Sequence, residues 1–263
     1  MNDLKTQVQS SNEDTPLVSV ITAVFNGEKF LVDTIESILN QKYPHIEYII
    51  IDGNSTDGTV EIIKNYQTRL AYWLSEKDNG LYDAWNKALK IAKGEWIAFM
   101  GSDDIMNADA MQLYIDYINN NRIRDLEYVS SKIELVTNDL KFKRIVGSAW
   151  DWKVFKVYMN TAHVGSLHHK SLFTKYGNFD DGYKITGDYE LLLRAKKTLK
   201  AGFMDRVTVK MRTEDTLSMR NASHTQRETL RAKIETANRN RWVALYEMAI
   251  AILKAKLRRL LNL

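Results

Sequence analysis

The chain has 263 residues, of which 44% are hydrophobic, so it is long enough for one α/β domain with an additional segment. It contains no Cys, which excludes disulfides and thiolate metal sites. The net charge of +4 is uneven, because residues 206–263 hold 13 Lys and Arg against 5 Asp and Glu. Such a basic region suits nucleic acid, an anionic membrane or a phosphorylated molecule. No nucleic-acid motif accompanies it, so no nucleic-acid partner is predicted.

The N-terminal region and the hydropathy of the chain predict neither an export signal nor a membrane span. Residues 1–15 are polar and predict a disordered lead-in. No run of 18 apolar residues occurs in the sequence, so no ordinary transmembrane helix is predicted.

The first elements alternate between strand and helix patterns. Residues 17–26 form an apolar strand pattern that closes on small and polar residues. Residues 28–40 place hydrophobic side chains at helical spacing, and residues 47–51 form a second strand pattern. A second helix is predicted from Val60, which leads to the β-α-β-α-β order of a nucleotide-binding half-fold. The glycine fingerprints of dinucleotide-binding and P-loop proteins are absent, which argues against both classes.

Two adjacent carboxylates follow the next predicted strand. Residues 96–100 are an apolar run with the pattern of a buried parallel strand, and Asp103 and Asp104 come just after it. Ligands of open α/β sheets bind at the carboxyl ends of strands, so these side chains are candidate site residues. Their oxygen atoms suit Mg2+ or Mn2+ bound together with substrate phosphates. The alternative is a solvated turn in which an Asp caps a helix that starts near Asn107.

Several segments carry motifs in a specific order. They are Val-Ile-Thr-Ala-Val-Phe-Asn-Gly-Glu (20–28), Ile-Ile-Ile-Asp-Gly-Asn-Ser-Thr-Asp-Gly-Thr (49–59), the stretches 74–88 and 93–99, Gly-Ser-Asp-Asp (101–104) and Gly-Asp-Tyr-Glu-Leu-Leu-Leu-Arg (187–194). Together they resemble the bacterial family 2 glycosyltransferases, which have the GT-A fold. The resemblance implies a Rossmann-like nucleotide-binding α/β sandwich with a mostly parallel central sheet over residues 16–220. Residues 221–263 are then a basic, amphipathic helical appendage.

The resemblance also implies an activity and its cofactor. The implied enzyme moves a sugar from a nucleotide-diphosphate sugar to an acceptor hydroxyl, with inversion, in the synthesis of a bacterial surface polysaccharide or glycolipid. Mn2+ or Mg2+ is the implied cofactor, with Asp104 as the metal ligand and Asp103 on the ribose or also on the ion. UDP is the favoured donor nucleotide, with GDP and dTDP as alternatives, and the acceptor is a glycan or a lipid-linked molecule. A nucleotidyltransferase and a non-catalytic sugar-nucleotide-binding or glycan-binding protein are the alternative functions.

By the same resemblance, Asp188 is the catalytic base, because it matches the second acid of a Glu-Asp pair in the family. Gly187 stands here where many relatives carry Glu. The alternative for Asp188 is a cap for a helix over residues 189–200. An Asp-Asp pair of relatives is likewise reduced to Asp52 and Gly53, which leaves recognition of the nucleotide base open.

Further donor contacts follow from the resemblance. The nucleotide-sugar contacts are Ala23, Phe25, Asn26, Asp52, Asp83 and Asp103. The alternative for Phe25 is a place in the hydrophobic core. Arg220 lies in a loop over residues 211–220 and is expected to reach the diphosphate when that loop closes, unless this is simply a solvated basic loop.

Histidine and tryptophan side chains have more than one interpretation. His163 is a candidate acceptor-side residue, whereas the adjacent His168 and His169 face opposite ways on a strand and are structural or surface residues. Trp150 and Trp152 stack on a sugar or belong to the core or a lid.

The C-terminal residues predict an amphipathic helix. Its apolar stripe is Trp242, Tyr246, Ile250, Leu253, Leu257 and Leu261, and basic residues flank it. A helix of this kind lies flat in an anionic membrane interface. We therefore expect a cytoplasmic enzyme bound peripherally to the inner face of the cell membrane. The alternative is a helix that packs on the catalytic domain or on another subunit.

Overall fold

A computed structural model describes residues 15–121, 123–214 and 216–260. The predicted lead-in, apart from Thr15, and Leu261 of the apolar stripe lie outside the described residues. The strands are β1 (Val18–Val24), β2 (Ile46–Asp52), β3 (Tyr72–Ser75), β4 (Trp96–Met100), β5 (Ile105–Met106), β6 (Tyr128–Val136), β7 (Phe142–Val146), β8 (Leu167–His169) and β9 (Ala201–Arg212). The helices are α1 (Leu31–Leu39), α2 (Thr59–Tyr66), α3 (Leu81–Leu89), α4 (Ala110–Asn120), α5 (Trp152–Phe155), α6 (Lys170–Tyr176), α7 (Gly187–Ala195), α8 (Leu217–Arg220), α9 (Ala222–Glu235) and α10 (Arg241–Leu260).

The strands of the described residues form one sheet. Its order is β3-β2-β1-β4-β8-β6-β9-β5, and β7 pairs with β6. Strands β3, β2, β1 and β4 are parallel neighbours. Strand β8 is antiparallel to β4 and β6, and β9 runs parallel to β6. Because β1, β2 and β4 run in the same direction, their carboxyl ends meet at one edge of the sheet.

Helices cover both faces of this sheet. All five residues of β4 are buried, which is typical of a strand covered on both sides. Ala98 and Met100 pack on the face covered by α1 and α4, whereas Ile97 and Phe99 pack on the face covered by α3 and α7. The alternating apolar side chains of the strand thus serve two cores, and the predicted α/β class is confirmed.

Two alternatives that made acidic residues helix caps are wrong. Strand β5 separates Asp104 from α4, which begins only at Ala110. Helix α7 begins at Gly187 with Thr186 at the N-cap position. Asp188 therefore lies inside the first helical turn, where the helix dipole favours a carboxylate.

The C-terminal helices follow the last strand, β9, in the chain. Helix α9 packs against α7, and α10 packs against α9. Glu247 of α10 pairs with Lys233 at 3.1 Å and also with Arg239. The residues from Leu253 to Leu257 are all exposed, so this part of α10 extends away from the body. Within the part of the chain that is described, no helix has the length and hydropathy needed to cross a bilayer.

Candidate active site

A cleft of about 610 Å³ lies at the carboxyl edge of the parallel strands. Of the residues predicted to form the site, the lining includes Ala23, Phe25, Asn26, Asp103, Asp104, Asp188 and Arg220. These residues come from four distant parts of the sequence. The fold thus brings together most of the predicted site, including the predicted metal ligands and the predicted base.

The Asp103-Asp104 pair follows β4 at the wall of the cleft. Asp104 is only 3% exposed, and its Oδ1 accepts a 3.1 Å hydrogen bond from the backbone amide of Arg212. The Thr34 hydroxyl donates to the carbonyl oxygen of Asp104 at 2.8 Å. Burial, followed by the charge of Asp103, raises the pKa of Asp104 well above its ordinary value. Two carboxylates are therefore held side by side in a place that disfavours their charge.

This arrangement fits a divalent cation. The described residues contain no group of three or more His, Cys, Asp or Glu side chains that could hold a metal. Mg2+ usually takes one or two protein carboxylates and completes its shell with phosphate oxygens and water, and Mn2+ prefers the same hard oxygen ligands. An adjacent pair at the wall of an open cleft has that chemistry, because it leaves the remaining ligand positions to a diphosphate.

Arg212 at the end of β9 holds this loop in place. Its Nη1 donates to the carbonyl oxygen of Asp103 at 2.5 Å, and its Nη2 donates to Oδ2 of Asp33 at 2.6 Å. Its Nε donates to the carbonyl oxygen of Asn138 at 3.2 Å, and the guanidinium lies 4.3 Å from the centre of the Phe30 ring. Sequence reasoning missed this residue. The available signal was an Arg within the segment expected to form a loop over the donor.

Asp188 lies on the α7 side of the cleft. The Tyr82 hydroxyl is 3.1 Å from Oδ1 of Asp188 and 2.8 Å from the carbonyl oxygen of Ile185. Burial raises the pKa of Asp188 to about 6, against the lowering effects of the Tyr189 backbone amide and the Tyr82 hydroxyl. A carboxylate with this pKa is ionised near neutral pH yet basic enough to accept a proton.

The end of β1 forms another wall of the cleft. Phe25 is 64% exposed there, so its alternative place in the core is wrong. Asn26 adopts a left-handed backbone conformation with φ of 51°. Its amide donates to the Ser55 hydroxyl at 2.7 Å, and its side-chain oxygen accepts from the Thr56 amide at 2.9 Å. The loops after β1 and β2 are thereby joined.

Two predicted donor contacts, Asp52 and Asp83, are not among the residues that line the cleft. Asp52 is buried, and its Oδ2 accepts from the Ser55 amide at 3.0 Å and the Ser75 hydroxyl at 2.6 Å. Asp83 accepts from the Asn79 amide at 2.9 Å and lies 3.5 Å from Lys87. Both carboxylates organise the loops around the cleft, and their direct contact with a donor stays a prediction.

Gly53, the second departure from the family pattern, lies against another carboxylate. A Cβ at this position would stand 2.7 Å from Oδ2 of Asp78. The oxygen of Asp78 therefore occupies space that a side chain at position 53 would need. An acid from the loop after β3 thus lies beside the place where relatives carry their second acid.

His163 lies on the floor of the cleft, stacked on Trp85 with ring centres 5.4 Å apart. Burial lowers its pKa to about 3, so the ring is neutral. His168 is buried in the sheet, and Nδ1 of His169 accepts from the Ser171 amide at 3.2 Å at the start of α6. These two histidines are therefore structural.

The remaining aromatic and loop residues also have definite places. Trp150 packs on Phe155 with ring centres 4.3 Å apart and joins the core with Trp152. Arg220 ends the short helix α8, which borders the cleft. The Thr216 hydroxyl caps this helix by accepting from the Met219 amide. The segment after β9 is thus partly helical, where a loop was expected.

Comparison with known proteins indicates the same family as the motifs in the sequence. The sequence profile described as Glycosyl transferase family 2 matches residues 19–162. An uncharacterised glycosyltransferase of Rickettsia typhi is 28% identical over 214 residues, which cover 78% of this chain and 66% of that protein. The putative teichuronic acid biosynthesis glycosyltransferase TuaG of Bacillus subtilis is 40% identical over 106 residues, which cover 39% of this chain and 42% of that protein. The chain thus spans less than two-thirds of the length of these relatives.

Solved structures show the same architecture. The crystal structure of S. aureus TarS 1–349 with UDP-GlcNAc has a TM-score of 0.66 at 17% identity, over 89% of this chain and 70% of that one. The mannosyltransferase PcManGT from Pyrobaculum calidifontis, with GDP-Man and Mn2+, has a TM-score of 0.64 at 16% identity, over 92% of this chain and 75% of that one. These matches confirm the predicted GT-A fold. Since the family profile covers more than half of the residues and includes Asp103 and Asp104, the chain belongs to glycosyl transferase family 2.

Proposed function

We propose that this protein is an inverting, metal-dependent glycosyltransferase that uses a nucleotide-diphosphate sugar in bacterial surface polysaccharide or glycolipid synthesis. One observation carries the proposal: a single cleft holds the adjacent carboxylates of half-buried Asp103 and buried Asp104 on one wall and a carboxylate with a pKa of about 6 on another. Sugar transfer needs both, because the diphosphate charge must be stabilised and the acceptor proton removed.

In this mechanism the donor binds along the edge of β1 and β4. Phe25 offers an exposed ring to the nucleotide base, and the loop that carries Asn26 borders the ribose. Asp104, with Asp103, would hold Mn2+ or Mg2+, and the ion supplies Lewis-acid stabilisation of the departing diphosphate. Lys29, Arg212 and Arg220 are cationic residues that line the cleft, and we assign Arg220 to the diphosphate.

Asp188 completes the reaction on the acceptor side. The acceptor oxygen forms a bond to the anomeric carbon while the bond from that carbon to the diphosphate oxygen breaks. The hydroxyl proton passes to the Asp188 carboxylate, and the sugar configuration inverts because attack and departure occur on opposite faces. A UDP sugar is the favoured donor, with GDP and dTDP sugars as alternatives. The acceptor is a glycan or lipid-linked hydroxyl.

We also propose that α10 binds the anionic inner face of the cell membrane. Trp242 is 77% exposed, and Tyr246, Leu253 and Leu257 are exposed on the same helix. Lys254 and Lys256 lie between the two leucines, and each basic residue near an anionic surface contributes roughly 1 kcal/mol. Packing on α9 leaves residues 253–257 of α10 exposed, so the alternative of a wholly packed helix explains less.

The test is a screen of UDP, GDP and dTDP sugars with Mn2+, Mg2+ or EDTA, which measures both melting temperature and nucleoside diphosphate release. The matching donor should stabilise the protein by about 2.7 kcal/mol at a hundred times its dissociation constant. Release of nucleoside diphosphate should require the metal. Metal-dependent stabilisation without release for any donor, even with acceptor lipids from a bacterial membrane extract, would indicate a binding protein. Release of pyrophosphate from a nucleoside triphosphate and a sugar phosphate would indicate a nucleotidyltransferase.

A further inference from the structure

We propose that Tyr82 and Glu228 are positioning residues for Asp188. The inference rests on the proposed role of Asp188 as the base. It assigns two residues from separate helices, α3 and α9, to the preparation of one carboxylate.

Tyr82 holds Asp188 from the α3 side. The side chain is 1% exposed, and its ring stacks on Phe179 with centres 5.5 Å apart. Its hydroxyl lies between Oδ1 of Asp188 and the carbonyl oxygen of Ile185, at 3.1 and 2.8 Å. A buried, immobile ring thus presents one hydroxyl to the carboxylate and to the backbone just before it.

Gly187 is what allows this approach. A Cβ at position 187 would stand 2.8 to 2.9 Å from three atoms of the Tyr82 ring, closer than real Cβ contacts. The Tyr82 ring is buried and packed, so it has little room to shift. The sequence departure at 187 and the Tyr82 contact are therefore one structural feature.

Glu228 holds the same turn from the opposite side. Its carboxylate accepts hydrogen bonds from three consecutive backbone amides, those of Lys184, Ile185 and Thr186, at 2.6, 2.9 and 2.9 Å. Its Oε1 also lies 3.0 Å from Nε2 of His224. Burial opposes the ionised form, but the amides and His224 outweigh it and lower the pKa of Glu228. A charged carboxylate therefore anchors the segment that leads into Asp188.

The two residues act on Asp188 in opposite electrostatic senses. The Tyr82 hydroxyl donates to the carboxylate and favours its ionised form, whereas the negative charge of Glu228 disfavours it. Tyr128 of β6 also interacts with Asp188, and burial keeps its hydroxyl neutral. Burial has the largest effect on the pKa of Asp188, and the Tyr82 hydroxyl and the Glu228 charge then shift it in opposite directions.

The experiment measures kcat/KM against pH for the full chain with its donor, acceptor and metal. Activity should fall as the pH drops through the pKa of the base, because a protonated carboxyl cannot accept the acceptor proton. Tyr82→Phe should move this fall in activity, the acid limb of the pH profile, to higher pH by roughly one unit, since the carboxylate loses a hydrogen-bond donor. Glu228→Gln should move it to lower pH, since a repelling charge is removed. A purely structural role predicts lower activity with no shift of the limb, or shifts in the same direction.

Matched control variants separate a positioning role of Tyr82 and Glu228 from general damage to the fold. Tyr189→Phe removes a buried hydroxyl from α7 that bonds the Phe155 carbonyl oxygen at 2.9 Å, and Glu127→Gln neutralises a buried carboxylate that accepts from the Lys200 amide. Both should leave the acid limb in place. If Glu228→Gln does not fold, Glu228→Asp replaces it and should lower kcat without shifting the limb, because the charge is kept. A shifted limb in Glu228→Asp overturns the role of Glu228.

Asp188→Asn tests the assignment of Asp188 as the base separately from the positioning roles of Tyr82 and Glu228. If that variant is inactive while Tyr82→Phe and Glu228→Gln leave the limb unmoved, the positioning roles are wrong and the base assignment stands. If Asp188→Asn keeps turnover, the base assignment itself fails.

Discussion

The backbone amide of Arg212 donates a hydrogen bond to Oδ1 of Asp104, and the Arg212 guanidinium binds the carbonyl oxygen of the preceding Asp103. One residue at the end of β9 thus holds both members of the carboxylate pair through different atoms. Arg212 also binds Asp33 of α1 and the Asn138 carbonyl oxygen. The loop that carries Asp103 and Asp104 is therefore connected to β9, to α1 and to the loop at Asn138.

Arg212→Met should loosen this loop while it keeps the backbone contact to Asp104. We expect a loss of about 2–3 kcal/mol in the free energy of unfolding, because charge-assisted hydrogen bonds of a buried guanidinium disappear. The Mn2+ concentration for half-maximal activity should rise. Chemical denaturation and a metal titration measure these effects, with Arg206→Met on the exposed part of β9 as the control. An unchanged metal requirement contradicts the assigned role.

Asp104→Ala should remove the proposed metal ligand. Transfer should fall at least about a hundredfold, the scale of losing one strong contact to transition-state charge. Initial rates with Mn2+, Mg2+ and EDTA test this, and Asp109→Ala, an exposed acid before α4, is the matched control. Full wild-type activity in EDTA would exclude the metal role of the pair.

Asp188→Asn should abolish turnover but retain donor binding. Asn keeps the size of the side chain and can still bond Tyr82, yet it cannot accept the acceptor proton. At neutral pH the melting temperature should be no lower than that of the wild type, and donor affinity from calorimetry should be unchanged. Asp181→Asn, on the exposed turn before α7, controls for charge. A less stable but active Asp188→Asn protein would mean that the residue is structural.

For wild-type protein, the Asp188 pKa of about 6 lies above the ordinary value for Asp. Because burial raises this pKa, the cost of ionising Asp188 in the folded state grows as the pH rises from its ordinary pKa of 3.8 to about 6, and it is constant at higher pH. Stability should therefore rise as the pH is lowered through 6, whereas activity should fall. Asp188→Asn should lose this contribution to the pH dependence of melting.

Phe25→Ala should weaken nucleotide binding without harm to the fold. The ring is 64% exposed, so little core packing is lost, whereas an aromatic stack on a base contributes about 1–3 kcal/mol. The dissociation constant for the nucleoside diphosphate should rise about tenfold or more. Phe142→Ala removes a ring of similar exposure from β7 and should change nothing. Equal affinity for both variants would remove Phe25 from the nucleotide site.

The exposed end of α10 should bind anionic vesicles. A variant with Leu253→Ser, Leu257→Ser, Lys254→Ser and Lys256→Ser should lose co-sedimentation with vesicles of phosphatidylglycerol, while wild-type pelleting should decrease at high salt. The ion pairs of Glu247 are untouched by these changes. Phe142→Ser with Ile145→Ser removes exposed apolar side chains from β7 as the control. Pelleting that is equal in all three proteins would exclude this surface.

The element types of the nucleotide-binding half were predictable from local pattern. Strand β4 was expected at residues 96–100 and lies there. A short apolar run between two glycines is typical of a fully buried strand at the centre of a sheet. The position of Asp188 within its helix was not predictable in this way. Helix α7 begins at Gly187, with Thr186 at the N-cap position, two residues earlier than the expected start at Tyr189.

The sequence by itself indicated the residues that we propose carry the chemistry. Asp103, Asp104 and Asp188 follow strands or begin helices within recognisable motifs, and such local relations need no distant partner. Only the tertiary structure decided what surrounds them: Arg212 is 108 residues from Asp104, and Tyr82 is 106 residues from Asp188. These contacts depend on how β9 and α7 return to the edge formed by the first strands. Hydrogen bonds between distant elements leave no periodic trace along the chain, so only the folded arrangement reveals them.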